Sequence, residues 1–542
     1  MATTVYDLFR ATATAHPGLS FLCVPSRADR SWSPGGVELS YGEVGDEVER
    51  LRRLYAAAGY GHGHRVALLL EMRPDFFHHC LALNALGVGI VPINPDYRHD
   101  EMLYQMSHAE AELVVCVSNR VDDLARVGED RRRESGQALP CVDAFALPQA
   151  LPRPSSPAPR NDAPGLSSEA GLLYTSGTTG RPKGCILTNF YYLNAGAEYA
   201  AQTGLVTVRH GQERFYNPLP LFHMNHQAVT ATCAMQTANC LVLTERFSPQ
   251  RWWPEVVESQ ATIIHYLGLV APTLLNQPVT DLERQHRVRF GVGAGIEPAL
   301  HDAFETRFGF PMVEVWGMTE TGRVFWNGHE PRRTETRAFG HATPTLEARV
   351  VDERDRPVAD GVEGELVVRH SVETPRHGFF TGYLKNAAAT EAAWHGGWFH
   401  TGDVVTRDAL GMHYFVDRKK NIIRRSGENI AAAEIEAVLQ AHEQVAQVAV
   451  IAVKDEVREE EVFACIVPMP GVTPNAALAD DIFAWANARL AYYKPPGWLL
   501  FLASLPTTGT QKVQKTQIFP TGDDPRQRPG VFDLRARKKR AT

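Results

Sequence analysis

Short apolar runs alternate with amphipathic stretches through the first third of the chain. Arg65-Val-Ala-Leu-Leu-Leu70 and Leu113-Val-Val-Cys-Val117 have the length and β-branched content of buried strands, and the stretch from Asp75 to Leu86 reads as a helix. Ser40 followed by Glu43 makes a capping box, after which Val44, Val48 and Leu51 fall on one helical face. Strands separated by helices of this length imply βαβ units and largely parallel sheets. Further on, Leu172-Leu173 leads into a Ser/Thr/Gly-rich segment and Cys185-Ile-Leu187 follows it, so that segment is expected to connect two elements of a sheet.

The pattern breaks in two places. From 147 to 168 the sequence LPQALPRPSSPAPRNDAPGLSS can sustain neither a helix nor a central strand and reads as a linker or excursion. A second break follows the strand-like His413-Tyr-Phe-Val416: a basic run, a helix around Ala433 to Gln440, and strand candidates at Val445–Val453 and Glu461–Val467. The expected domains are therefore 1–417 and 418–542, the second long enough for a small α+β domain. The fold class expected is α/β, with a large N-terminal domain of layered mixed sheets and helices.

Composition narrows the function classes. A chain of 542 residues is too long for one core, and 44% hydrophobic with 22% charged residues is ordinary for a soluble protein. No apolar run approaches the roughly 20 residues of a membrane helix, and the N-terminus lacks a signal-peptide layout, so a cytoplasmic location is the default expectation. Eight scattered cysteines without a CxxC pair suit a reducing compartment and argue against structural zinc. A formal charge of −7 gives no electrostatic reason to expect nucleic acid. The tail Arg535-Ala-Arg-Lys-Lys-Arg540 reads as a solvated charge run, with contact to an anionic surface or ligand as the alternative.

The candidate chemistry begins at Tyr174-Thr175-Ser176-Gly177-Thr178-Thr179-Gly180-Arg181-Pro182-Lys183-Gly184. Glycines let backbone N–H groups approach anionic oxygens, hydroxyls donate further hydrogen bonds, and Lys183 adds a positive charge, which together suit a triphosphate. It is not a Walker A loop, because Pro182 precedes the lysine and Gly184 follows it.

This loop resembles the phosphate loop of the adenylate-forming superfamily, which holds acyl-CoA synthetases, luciferases and peptide-synthetase adenylation domains. Five more segments resemble motifs of that superfamily. Val315-Trp316-Gly317-Met318-Thr319-Glu320 resembles the motif in which the glutamate holds magnesium and the threonine contacts phosphate, with Trp316 where a tyrosine is usual. Trp398-Phe-His-Thr-Gly-Asp403 resembles the motif whose aspartate accepts from both ribose hydroxyls. In the segment from Tyr414 to Glu436 the resemblance implies that Arg418 reaches the nucleotide, Lys420 lies at an interdomain hinge and Gly427 borders a pantetheine tunnel; Ala432 replaces a common proline. Leu505-Pro-Thr-Thr-Gly-Thr-Gln511-Lys512 resembles the loop bearing the catalytic lysine, with Gln511 in place of glycine and Lys515 as the alternative lysine. Gly293, Ala294 and Gly295 resemble the adenine-wall segment, Gly295 standing where a proline is frequent.

The resemblance implies an ATP-dependent acyl-CoA ligase. ATP, magnesium and CoA are the expected cofactor and co-substrates, a small carboxylic acid is the expected substrate, and the small C-terminal domain is expected to be mobile. Thr175, Ser176, Gly177, Thr178, Thr179, Lys183, Trp316 and Gly317 are the remaining nucleotide contacts so implied, and Lys512, Thr319 and Glu320 the catalytic set. The segment with His223, Asn225 and His226 resembles the acyl pocket, which Tyr266, Leu267 and Gly268 are expected to line as well. His223 stands where peptide-synthetase domains carry an aspartate, which argues against an α-amino acid, and no third ligand makes His223 and His226 a zinc site. The region of Gln285-His286-Arg287 and His223 resembles the carnitine/crotonobetaine-CoA ligase branch. Transfer to a carrier protein, luciferase-like oxidation and a catalytically silent nucleotide-binding scaffold stay open as alternatives, and a homo-oligomer is compatible with the chain.

Overall fold

The computed structural model describes residues 2–175, 182–268, 270–425, 428–455, 458–507, 512–520 and 522–538. The chain packs as two compact units, Met1–Glu347 with Arg369–Phe399, and Ala348–Val368 with His400–Thr542. By packing, the smaller unit starts upstream of Asp417, because the strands on either side of that residue belong to the same unit.

The larger unit is built on two sheets. One has seven strands in the order Gly382–Tyr383, Lys183–Thr188, Glu169–Thr175, Gly89–Pro92, Arg65–Leu69, Leu113–Cys116, Cys141–Asp143. Its centre is parallel, as the βαβ pattern predicts, and its first three strands are antiparallel to one another. The second sheet runs Val324–Trp326, Met312–Gly317, Phe290–Ala294, Ile263–Leu267, Arg214–Tyr216, Cys240–Val242, Ser20–Val24, Val37–Ser40 and is parallel except at its two ends.

Local chemistry explains the element ends. Ser40 Oγ accepts from Glu43 N at 3.2 Å and Glu43 Oε2 accepts from Ser40 N at 2.8 Å, which starts the helix Tyr41–Ala58 and buries Val44, Val48 and Leu51. The helix expected from Asp75 to Leu86 runs Pro74–Asn84 and is followed by Gly87 with φ +73°. The proline-rich passage forms no helix or strand; it is strapped to the unit through Tyr60 Oη donating to Pro152 O at 2.9 Å and His62 Nδ1 donating to Asp162 O at 2.9 Å.

The smaller unit carries the sheet expected of the C-terminal part. Ile422–Arg425, Glu459–Pro468 and Trp498–Phe501 form its centre, with Val445–Asp455 pairing Glu459–Pro468 antiparallel and helices Ala432–Gln440 and Ala476–Asn487 on the core of Ile435, Val450, Ile466 and Ile482. The basic tail departs from expectation. Arg535 pairs with Asp455 at 3.0 Å, Arg537 with Asp480 at 2.7 Å, and Lys538 with Glu461 at 2.6 Å, the last pair fully buried. These acids lie far upstream in sequence, so the run reads as solvated until the fold gives its cations partners. No described helix is long and apolar enough to cross a membrane.

Candidate active site

In the larger unit the site is organised by a hairpin. Strands Glu169–Thr175 and Lys183–Thr188 pair antiparallel with Thr175 opposite Lys183, so the phosphate loop is the hairpin's connection, as the apolar flanks predict. Ser176, Gly177, Thr178 and Thr179 lie outside the described residues, as does Gly427. Lys183 opens its strand and places Nζ 4.5 Å from the ring centroid of Tyr383, whose hydroxyl donates to Glu320 Oε1 at 2.9 Å. Tyr383 was not among the residues the sequence singled out. It reaches Lys183 because Tyr383 pairs with Cys185 in register, which puts Lys183 diagonally adjacent on the same face.

Thr319 and Glu320 occupy the turn between strands Met312–Gly317 and Val324–Trp326. Tyr191 Oη donates to Thr319 O at 2.8 Å, and Phe380 N donates to Glu320 O at 2.9 Å. Glu320 is buried, yet it supplies a hard carboxylate oxygen beside the Lys183 cation, a donor set that fits a magnesium-bound phosphate. Trp316 packs edge-on to Phe325, with ring centroids 5.3 Å apart.

Of the segment expected to form the adenine wall, Gly293 and Ala294 end strand Phe290–Ala294 and Gly295 follows it. Gly295 takes φ +87°, and the N–H groups of Gly295 and Ile296 donate to Glu314 at 2.7 and 3.2 Å. Tyr266 Oη donates to the same carboxylate at 2.6 Å. Burial pushes the Glu314 carboxyl up to about 7 against the pull of these donors. A Cβ on Gly268 would lie 2.0 Å from Gly295 O, so close approach of the two strand ends requires glycine there.

The acyl-pocket candidates divide between two faces of one strand. In Ile263–Leu267 alternate side chains point opposite ways, so His265 and Leu267 share a face that Tyr266 does not. Tyr266 is fully buried in the core with Trp252, Val256 and Phe304. Its hydroxyl braces Glu314. On the other face His265 Nε2 lies 3.5 Å from Thr230 Oγ1, and Asn217 Nδ2 donates to Asn225 Oδ1 and Thr230 Oγ1, both at 3.0 Å. Asn225 to Thr230 form a wide helical turn. His226 Nδ1 donates to Leu219 O at 2.8 Å, since a carbonyl can only accept, and burial holds the ring neutral, at about 4. His223 stacks near Phe222, ring centroids 4.6 Å apart. His286 packs on Trp253 with ring centroids 5.4 Å apart.

In the smaller unit Asp403 is wholly buried and stands opposite Arg418 in register, Arg418 Nε lying 2.7 Å from Asp403 Oδ1. Glu365 braces this pair: its carboxylate accepts from Gly402 N at 3.1 Å and Lys419 Nζ at 2.9 Å and meets His400 Nδ1 at 3.3 Å. Although burial opposes it, His400 and Lys419 hold Glu365 at about 2, and Glu365 in turn raises His400. Lys420 falls in the short turn Lys419–Asn421 between strands His413–Arg418 and Ile422–Arg425. Thr507 bridges Val513, the residue that follows Lys512. Desolvation lowers the Lys512 ammonium, Arg418 adds to the shift and Asp403 opposes it. Lys515 Nζ instead pairs with Glu436 Oε1 at 2.8 Å and anchors the base of the loop.

Tyr383, Glu314 and Glu365 carried no sequence signal that ties them to the site. Only Glu314 was accessible to inspection, as an acid inside an otherwise apolar strand two residues before Trp316.

A family model for AMP-binding enzymes matches residues 9–384, and one for the AMP-binding enzyme C-terminal domain matches residues 434–512. The crotonobetaine/carnitine–CoA ligase of Proteus mirabilis (strain HI4320) is 30% identical over 496 residues, covering 89% of this chain and 93% of the relative. Among solved structures, ATP-bound MatB from Rhodopseudomonas palustris superposes with a TM-score of 0.78 at 23% identity, over 95% of this chain and 98% of that one. A benzoate CoA ligase from Burkholderia xenovorans LB400 gives 0.77 at 21% identity, over 95% and 99% of the two chains.

Proposed function

The chain belongs to the AMP-binding enzyme family, and on that premise we propose that it is an ATP-dependent acyl-CoA ligase. Its first half-reaction joins a carboxylate oxygen to the α-phosphorus of ATP and releases pyrophosphate. In the second, the CoA thiol attacks the acyl carbon of that mixed anhydride and AMP leaves. The observation that carries this reading is the meeting of Lys183 and Glu320 at Tyr383 beside the phosphate hairpin, which sets a cation and a hard anion where a metal–triphosphate needs both.

The residues divide the work. Lys183, Thr175 and Thr319 would contact the triphosphate, and Glu320 would hold magnesium, which when bound neutralises phosphate charge. Asp403, with two carboxylate oxygens, is suited to a ribose cis-diol, and Arg418 fixes its orientation. Lys512, which matches the family loop counted from Leu505-Pro506, is the catalytic lysine that stabilises charge between carboxylate and α-phosphate, and Lys515 pairs with Glu436. The segment 418–542 is the mobile domain, Lys420 its hinge and Gly427 the border of the thiol's access. The acyl pocket takes its polarity from Asn225, His226 and His223, and betaine-type acids head the substrate panel because the relatives in hand are named for crotonobetaine and carnitine.

The test is incubation of the purified protein with ATP, magnesium and short-chain, medium-chain, aromatic and betaine-type acids, with and without CoA, while pyrophosphate and thioester are measured. CoA-dependent thioester from one acid class is the expected result. Pyrophosphate without thioester would transfer the reading to a carrier-protein acceptor, and neither product would leave a silent nucleotide-binding protein.

A further inference from the structure

Tyr383 is fixed from both sides before any ligand is considered. Thr381 N donates to Ile186 O at 2.9 Å and Leu384 N to Gly184 O at 2.8 Å, so backbone bonds flank it on the strand that Lys183 opens. Phe380, three residues earlier, ties its N–H to the carbonyl of Glu320 itself and packs its ring 4.8 Å from that of Tyr383. Its hydroxyl donates to Glu320 Oε1 at 2.9 Å while Lys183 Nζ lies 4.5 Å from its ring centroid. One side chain thus touches the cation and the anion of the site at once.

Two opposite charges this near the same pocket would satisfy each other if their side chains were at liberty, and an ion pair so formed would compete with metal and phosphate for both. We propose that Tyr383 is a positioning residue for magnesium–ATP: its ring seats the Lys183 ammonium and its hydroxyl holds Glu320 Oε1, which keeps the two charges apart. The proposal rests on the assignment of Lys183 and Glu320 made above. It divides Tyr383 into two separable functions, the ring acting through Lys183 on phosphate and the hydroxyl acting through Glu320 on metal.

The experiment is equilibrium binding of ATP to the full-length protein across a MgCl2 series, read by dialysis with labelled nucleotide, for the wild type, Tyr383→Phe, Tyr383→Leu, Glu320→Gln and the Tyr383→Phe/Glu320→Gln double variant. Removing a hydrogen bond to a charged group is expected to raise the MgCl2 concentration for half-maximal binding about tenfold in Tyr383→Phe. Its metal-free ATP affinity stays within about twofold of wild type, since the ring remains under Lys183. Tyr383→Leu should weaken metal-free binding as well. In the Glu320→Gln background, Tyr383→Phe should shift the MgCl2 requirement by less than about twofold, because the partner through which it acts is gone. An unchanged MgCl2 requirement in Tyr383→Phe, or the same shift with and without Glu320, overturns the proposal. Loss of ATP binding in Tyr383→Phe at every MgCl2 concentration, with a lowered melting temperature, also overturns it and leaves a structural role. A wild type whose ATP binding ignores MgCl2 overturns the Glu320 assignment, and the proposal falls with it.

Discussion

Glu314 shows how one buried carboxyl can set the geometry of a whole turn. It gathers Tyr266, Gly295 and Ile296 into one cluster, and its folded pKa of about 7 lies above its ordinary value of 4.5. A raised carboxyl contributes stability that is complete below the unfolded pKa and is lost as pH rises through the folded one, here between about 4.5 and about 7. Glu314→Gln cannot ionise, so the wild type should lose stability relative to it across that interval, by at most about 3 kcal/mol. Melting curves of the two proteins from pH 5 to 8 decide this; parallel profiles would remove the assignment. The lysines separate in the same way. Lys512→Ala should slow adenylation by about a hundred- to a thousandfold and spare thioester formation from preformed acyl-adenylate. Equal loss in both half-reactions would contradict the role. The sequence singles out Lys183, Glu320, Asp403 and Lys512 because phosphate, metal and ribose, the ligands proposed for them, each demand a particular residue type within a short motif. It does not single out Tyr383 and Glu365, because they act through residues hundreds or tens of positions away and their own neighbours in sequence say nothing of it.

At the scale of elements, strand pairing does what motifs cannot. The hairpin of Glu169–Thr175 and Lys183–Thr188 was predictable from apolar flanks, but its third strand, Gly382–Tyr383, is two residues long and some 200 positions distant. The C-terminal tail is a similar case. Phe532–Asp533 joins the edge of the sheet against Trp498–Phe501, which delivers Lys538 to Glu461, already paired with Arg425 at 2.8 Å. Burial lowers the Lys538 ammonium to about 8, so folding disfavours its proton, and this group's effect is a gain in stability as pH rises from about 8 toward 10.5. Lys538→Ala strips one cation from a buried carboxylate and should destabilise the protein by about 2–4 kcal/mol. Denaturant unfolding measures it, and a change below about 0.5 kcal/mol would return the tail to the status of a solvated run.

At the scale of the whole molecule, the proposed two-step reaction would need two different sets of groups at the same acyl group, and the hinge proposed at Lys420 would serve to exchange them between steps. Gly427→Phe is expected to obstruct thiol access and so to depress thioester formation by at least about tenfold while pyrophosphate release is kept. Separate assays of the two half-reactions check it, and unchanged thiol transfer would remove the tunnel assignment. The sequence by itself determined the family, the α/β class and the order of the chemical motifs, since these are written in contiguous residues whose types the chemistry restricts. Only the tertiary structure decided that Tyr266 braces the Glu314 carboxylate, that Arg535, Arg537 and Lys538 are tied to Asp455, Asp480 and Glu461, and that Tyr383 stands between Lys183 and Glu320. Strand register and the face on which a side chain emerges are properties of paired segments, and no single stretch of sequence contains its partner.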